Sequence, residues 1–133
     1  MYYFAYASNL NRRQMSERCP DSQPRLIATL RNHKLIFAGW SRKWHGGTAS
    51  IKPLQGEKVI GAVYEISERD LRLLDKCEAY PTVYGRLNVV VITEDGDPVE
   101  AVTYIKREQS EETQPSREYL AVIQQGYQDW AIV

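Results

Sequence analysis

Tyr2-Tyr3-Phe4-Ala5-Tyr6-Ala7-Ser8-Asn9-Leu10 opens the chain, and how it is read decides how the rest is read. Tyr2–Tyr6 is an aromatic, β-prone run and reads as a first strand. Ala7-Ser8-Asn9 then breaks the pattern with small, turn-forming residues. Asn11–Arg18 reads as a short helix with its cap drawn from Ser8–Asn11, stopped by Pro20. A strand that ends in small residues and feeds a helix presents backbone N–H groups in one direction, and such groups hold carboxylates, phosphates or developing oxyanions. The same residues equally make an ordinary turn. They do not make a phosphate-binding P-loop, whose Gly and Lys pattern is absent.

Outward from this opening, strand-like and helix-like segments alternate. Arg25–Ala28 and Lys34–Ala38 read as strands joined through Arg31-Asn32-His33, and Gly39–Gly47 as a polar, Trp-bearing loop. Thr48–Lys52 and the stronger Lys58–Ile66 follow as strands. Ser67-Glu68-Arg69-Asp70 has the spacing of a capping box, with Asp in place of the usual Glu or Gln, and starts a helix to about Cys77. Tyr84–Thr93 is β-branched, and Asp95-Gly96 turns it into a partner strand, Val99–Ile105. Lys106–Gln114 reads as a charged, mobile loop. Pro115-Ser116 introduces a last helix with Tyr119, Leu120, Ile123 and Tyr127 along one face. The pattern predicts one α+β domain over residues 1–133, built on a small mixed β-barrel or strongly curved sheet with flanking helices.

Composition narrows the function. Of 133 residues, 17 are basic and 17 acidic, for a formal net charge of zero; this argues against a protein that coats nucleic acid or an anionic membrane. The longest apolar run, near Asn88–Thr93, is far short of the roughly 20 residues of a membrane span. With no secretory pattern at the start and two cysteines, Cys19 and Cys77, the expected setting is reducing and cytoplasmic. His33 and His45 lack ligand spacing, so no metal site is expected. Nine Tyr against two Phe and three Trp suggest a wet pocket lined by tyrosine.

Glu78 is the second candidate for chemistry. On a helical wheel it falls about 20° from Leu71, between Leu71 and Leu74, at the margin of the apolar face. Asp75 and Lys76 fall further toward solvent. A carboxyl beside leucines, with no Lys or Arg one turn before it, has its charged form disfavoured and its pKa raised toward the range useful for proton transfer. The alternative is a frayed, exposed Glu at a helix end. Cys77, without a basic neighbour in sequence, reads as a buried, inert thiol. A Ser8-His45-acid triad can be drawn, but no G-x-S-x-G elbow supports it. Trp44-His45-Gly46-Gly47 is either a binding loop or a tight turn.

Taken together, Tyr3–Leu10, Trp44–Ile51, Gly61–Ile66, Leu74-Asp75-Lys76-Cys77-Glu78, Tyr104 and Pro115-Ser116-x-x-Tyr119 resemble, in order, the motifs of the γ-glutamylcyclotransferase-like (AIG2-like) family. The resemblance spans nearly the whole chain. It implies a small mixed barrel with a cavity beside the first loop, a small-molecule γ-glutamyl substrate cyclised to 5-oxoproline, and no cofactor or metal. It also implies that Glu78 is the catalytic acid/base, with the Ala7–Leu10 amides holding a substrate oxygen and Ser8 and Asn9 adding side-chain contacts. Tyr6, Tyr84 and Tyr104 then stand as walls or hydrogen-bonding groups around the substrate. Two alternatives remain at this level: the same fold acting on another small amide or acyl substrate, or a catalytically silent binding module. One departure bears on the choice. Ala7 stands where the family usually has Gly. If that position needs a positive φ, Ala costs on the order of 1 kcal/mol; if it needs room for the ligand, the methyl narrows the pocket; otherwise the change is neutral.

Overall fold

In the computed structural model, which describes residues 1–108 and 111–132, five strands close into a barrel in the order β1-β3-β2-β4-β5. The strands are β1 (Tyr2–Ala5), β2 (Gln23–Ser41), β3 (Gly46–Glu65), β4 (Tyr84–Thr93) and β5 (Pro98–Lys106). Three helices flank them: α1 (Arg12–Arg18), α2 (Glu68–Cys77) and α3 (Arg117–Asp129), with a single 3₁₀ turn at Ser8–Leu10. Neighbouring strands pair antiparallel except at the seam, where β1 meets β5 in parallel with Tyr3 opposite Val102. The expected α+β barrel with flanking helices is the observed fold. Among the described residues, no helix is long and apolar enough to cross a membrane.

The aromatic opening run is explained by burial on both faces of β1. Phe4, followed by Tyr6, joins a cluster drawn from all five strands, with Leu30, Ile51, Val63, Val91 and Ala101, which fills the barrel. Tyr3 and Ala5 point the other way, into a second cluster with Leu10, Met15, Leu74 and Trp130 beneath the helices. A strand covered on both sides reads as a continuous apolar run rather than an alternating one. At about 25 cal/mol per Å² of apolar surface, each fully buried aromatic here contributes on the order of 2–3 kcal/mol.

The four strands expected between Arg25 and Ile66 are two long ones. Asn32 (φ 59°) and Gly56 (φ 90°) both take left-handed backbone, and the Gly56 N–H donates to Asn32 Oδ1 at 3.1 Å. The register shifts there, between Arg31 and His33. The polar interruptions that read as ends of strands are thus a bulge that bends one continuous ribbon. The Gly39–Gly47 loop shrinks likewise to a turn at 42–45, because Ser41 pairs with Gly46.

The segment expected as a mobile loop at Lys106–Gln114 is also different. Gln109 and Ser110 lie outside the described residues, but Glu111, Thr113 and Gln114 are tied to the ribbon. Gly39 N–H donates to Glu111 O at 3.3 Å, Thr113 N–H to Phe37 O at 3.0 Å and Gly47 N–H to Gln114 O at 2.9 Å. The capping box of α2 forms as read: Ser67 Oγ accepts from Asp70 N–H at 3.1 Å, and Asp70 Oδ2 accepts from Ser67 N–H at 3.2 Å.

Candidate active site

The Ala7–Leu10 passage is held from behind by its carbonyls. Tyr64 donates its hydroxyl to Asn9 O at 2.8 Å, and Trp130 Nε1 donates to Leu10 O at 2.9 Å. α3 presses against the same turn at Gly126, where a Cβ would come within 2.6 Å of Asn11 N and of Leu10 Cβ. With the carbonyls fixed inward, the Ser8 and Asn9 amides have no protein acceptor among the described residues. Ala7 has φ −141°, so no left-handed conformation is required and the methyl carries no penalty of that kind. The methyl packs in the barrel cluster.

Beside this turn lies a cavity of about 470 Å³, the right order for a dipeptide-sized ligand. Tyr6, Ala7, Ser8, Asn9, Glu78, Tyr84 and Tyr104 all line it. Leu10 does not; it is fully buried beneath the turn, and its N–H is spent on Ala7 O at 3.0 Å. Its expected binding role is therefore corrected to a structural one. His45 is exposed on the hairpin turn and away from the cavity, so the Ser8-His45 triad is not assembled.

The chemistry of the individual groups is also more specific than residue type suggests. Asn9 does not offer its side chain to the cavity: Nδ2 donates to Tyr3 Oη at 3.0 Å, and Oδ1 accepts from Gln14 at 3.0 Å and Arg18 at 3.2 Å. The tyrosine hydroxyls are committed as donors. Tyr6 donates to Tyr104 O at 2.7 Å, Tyr84 to Ala49 O at 2.7 Å, and Tyr104 to Asp75 Oδ1 at 2.6 Å. All three are walls whose donor is already used, and the hydroxyl of half-buried Ser8 has no hydrogen-bond partner among the described residues.

Glu78 caps the C-terminal end of α2. Burial against the cavity wall pushes its carboxyl up to about 7, opposed in part by Arg18 and Lys106. The carbonyl-rich end of a helix disfavours negative charge in the same sense. Asp75, expected to face solvent, is instead part-buried and accepts from Tyr104 and Arg86. Burial pushes its carboxyl up, but those two hydrogen bonds outweigh it and hold the group below its ordinary value. Asp75 in the last turn of α2 and Glu78 at its cap thus have opposite tendencies, one fixed as an anion and one poised to exchange a proton.

The family model for "Gamma-glutamyl cyclotransferase, AIG2-like" matches residues 3–130. The chain belongs to this γ-glutamyl cyclotransferase, AIG2-like family. It is 33% identical over 129 residues to the γ-glutamylcyclotransferase of Bos taurus and 32% identical to that of Homo sapiens, covering 93% of this chain and 68% of each relative. A solved structure described as a γ-glutamyl cyclotransferase superimposes with a TM-score of 0.94 at 29% identity, over 99% of this chain and 80% of the other.

Several lining residues of this cyclotransferase-family chain escape a linear reading. Arg18, at the end of α1, and Lys106, at the end of β5, reach the cavity from opposite ends of the sequence. Tyr3 and Tyr119 complete the wall, the latter accepting Ala49 N–H at 2.9 Å. Trp40, Lys43 and Trp44 bring the hairpin end over the mouth, so the Trp-bearing segment does line the site. Cys77, expected to be buried, is exposed at the cavity rim, as the last residue of α2. Buried Cys19 is the inert thiol, raised to about 12 by burial.

Proposed function

We propose that this chain is a cyclotransferase that converts a γ-glutamyl amino acid or γ-glutamyl amine to 5-oxoproline and the free amine. The observation that carries this is Glu78: a carboxyl raised to about 7 in the same cavity as the unpaired Ser8 and Asn9 amides. Family membership supports the class of reaction.

The substrate's α-amine attacks its own γ-carbonyl carbon, forming the ring C–N bond. The original C–N bond to the leaving group then breaks, and no water is consumed. A tethered nucleophile makes positioning the larger part of the work. Ionised Glu78 takes a proton from the attacking amine and returns it to the leaving nitrogen, so one group serves as base and then acid. A pKa near the working pH suits both steps. The Ser8 and Asn9 amides receive a substrate oxygen, and preorganised N–H donors in a partly dry site cost nothing to reorient as charge develops. Asn9 itself positions Arg18 and Tyr3, while Tyr6, Tyr84 and Tyr104 shape the walls.

The test is incubation with a panel of γ-glutamyl compounds, with 5-oxoproline and free amine measured together. Equimolar 5-oxoproline and amine is the expected result. Release of glutamate instead would mean hydrolysis, and no product from any member would overturn the cyclotransferase reading.

A further inference from the structure

The cavity carries three cationic side chains, Arg18, Lys43 and Lys106, against one carboxyl, Glu78. None of the three cations has a carboxylate within ion-pair distance among the described residues. They hang from separate parts of the fold. Arg18 is bound to Asn9 beside the anion-accepting turn. Lys106 is fixed elsewhere: its backbone N–H donates to Ser50 Oγ at 2.9 Å, its ammonium donates to Ala38 O at 2.5 Å, and it lies 5.7 Å from the centre of the Tyr84 ring. Lys43 stands at the mouth, 5.2 Å from the centre of the Trp44 ring. One of the three ammonium protons of Lys106 is used by Ala38, leaving two donors for a ligand.

We infer that Lys106, assisted by Lys43, is a specificity-determining residue that receives a carboxylate on the leaving side of the substrate and so selects γ-glutamyl amino acids over γ-glutamyl amines. The inference rests on the cyclotransferase reading and deepens it. A γ-glutamyl amino acid carries two carboxylates and one ammonium, whereas a γ-glutamyl amine carries one of each. Arg18, held beside the turn by Asn9, accounts for one carboxylate. The anchored, unpaired ammonium of Lys106 is the complement of the second. Burial lowers the pKa of Lys106, and Glu78 only partly offsets it, so a bound carboxylate would relieve an unfavourable desolvated charge.

The experiment uses γ-glutamyl-L-alanine and γ-glutamyl-ethylamide, which differ chiefly by the leaving-side carboxylate. The parent protein should favour the alanine compound in kcat/KM by about ten- to a hundredfold, as expected for one charge-assisted hydrogen bond. Lys106→Met should collapse that ratio toward one; any effect it has through Glu78, whose rise Lys106 opposes, falls on both compounds alike and leaves the ratio unchanged. Lys106→Arg should restore part of it. Calorimetric Kd values for the same two ligands on Glu78→Gln protein, with and without Lys106→Met, give the ratio independently of turnover. A parent ratio near one, or an equal loss for both compounds in Lys106→Met, overturns the assignment. Failure of both compounds to yield 5-oxoproline refutes the reaction instead, and the calorimetric ratio still decides the role of Lys106.

Discussion

Glu78→Gln should make the protein more stable, and only above acidic pH. Raising a carboxyl from 4.5 to about 7 disfavours its ionised form by about 3 kcal/mol, at about 1.4 kcal/mol per tenfold change in proton affinity. Solvent entering the cavity reduces this to about 2 kcal/mol. Below about pH 4 the folded and unfolded chains both hold the proton, and Glu78 carries no penalty. As pH rises past the ordinary value, the unfolded chain ionises first, so folding is progressively penalised. Above about pH 7 the folded form ionises too and the penalty is complete. Glutamine keeps the shape and never ionises. In urea unfolding, Glu78→Gln should therefore match the parent near pH 4 and exceed it by about 2 kcal/mol at pH 8.5, a midpoint displaced by about 1 M. A difference that does not vary with pH, or a variant less stable than the parent at pH 8.5, would refute the claim that Glu78 is desolvated in the native state.

The same pKa predicts that kcat/KM falls as pH drops below about 7, since the base must begin ionised; a flat profile from pH 5.5 to 8.5 contradicts it. Ala7→Gly should destabilise by about 1–2 kcal/mol, from one buried methyl lost and a more flexible unfolded chain, lowering Tm by about 3–6 °C. A gain in stability would mean that position 7 does need glycine. Gly126→Ala should cost about 1–3 kcal/mol through overpacking against Leu10 and Asn11 and reduce turnover by shifting the turn; thermal unfolding and activity unchanged together would show that α3 does not brace the site.

The opening strand and turn were legible because their signals are local: an aromatic run, then small residues, then a cap. The wheel sets Glu78 beside the leucine face, and the residue lines the cavity at the cap of α2. It misplaces Asp75, since a wheel does not know which distant side chain waits beside it; for Cys77 the lack of a basic neighbour misleads, because sequence does not show that the residue ends α2 exposed. Asp75 is drawn inward by Tyr104 on β5 and Arg86 on β4. The long bent ribbon was read as separate strands because Asn32 and Gly56 carry turn chemistry, and only the paired register shows that the strands run through it. Arg18 and Lys106 left no pattern in sequence, as charges on element ends look like ordinary solvated residues. The direction of each tyrosine hydroxyl likewise depends on a carbonyl or carboxylate supplied by another element.

The central claim is that Glu78 moves the proton, and the most direct measurement is turnover by Glu78→Gln on a substrate the parent converts to 5-oxoproline. A general acid/base contributes about 10²–10⁴-fold, so kcat should fall at least about a hundredfold while the variant stays folded. Turnover at the parent rate would contradict the account and leave Glu78 as no more than the cap of α2.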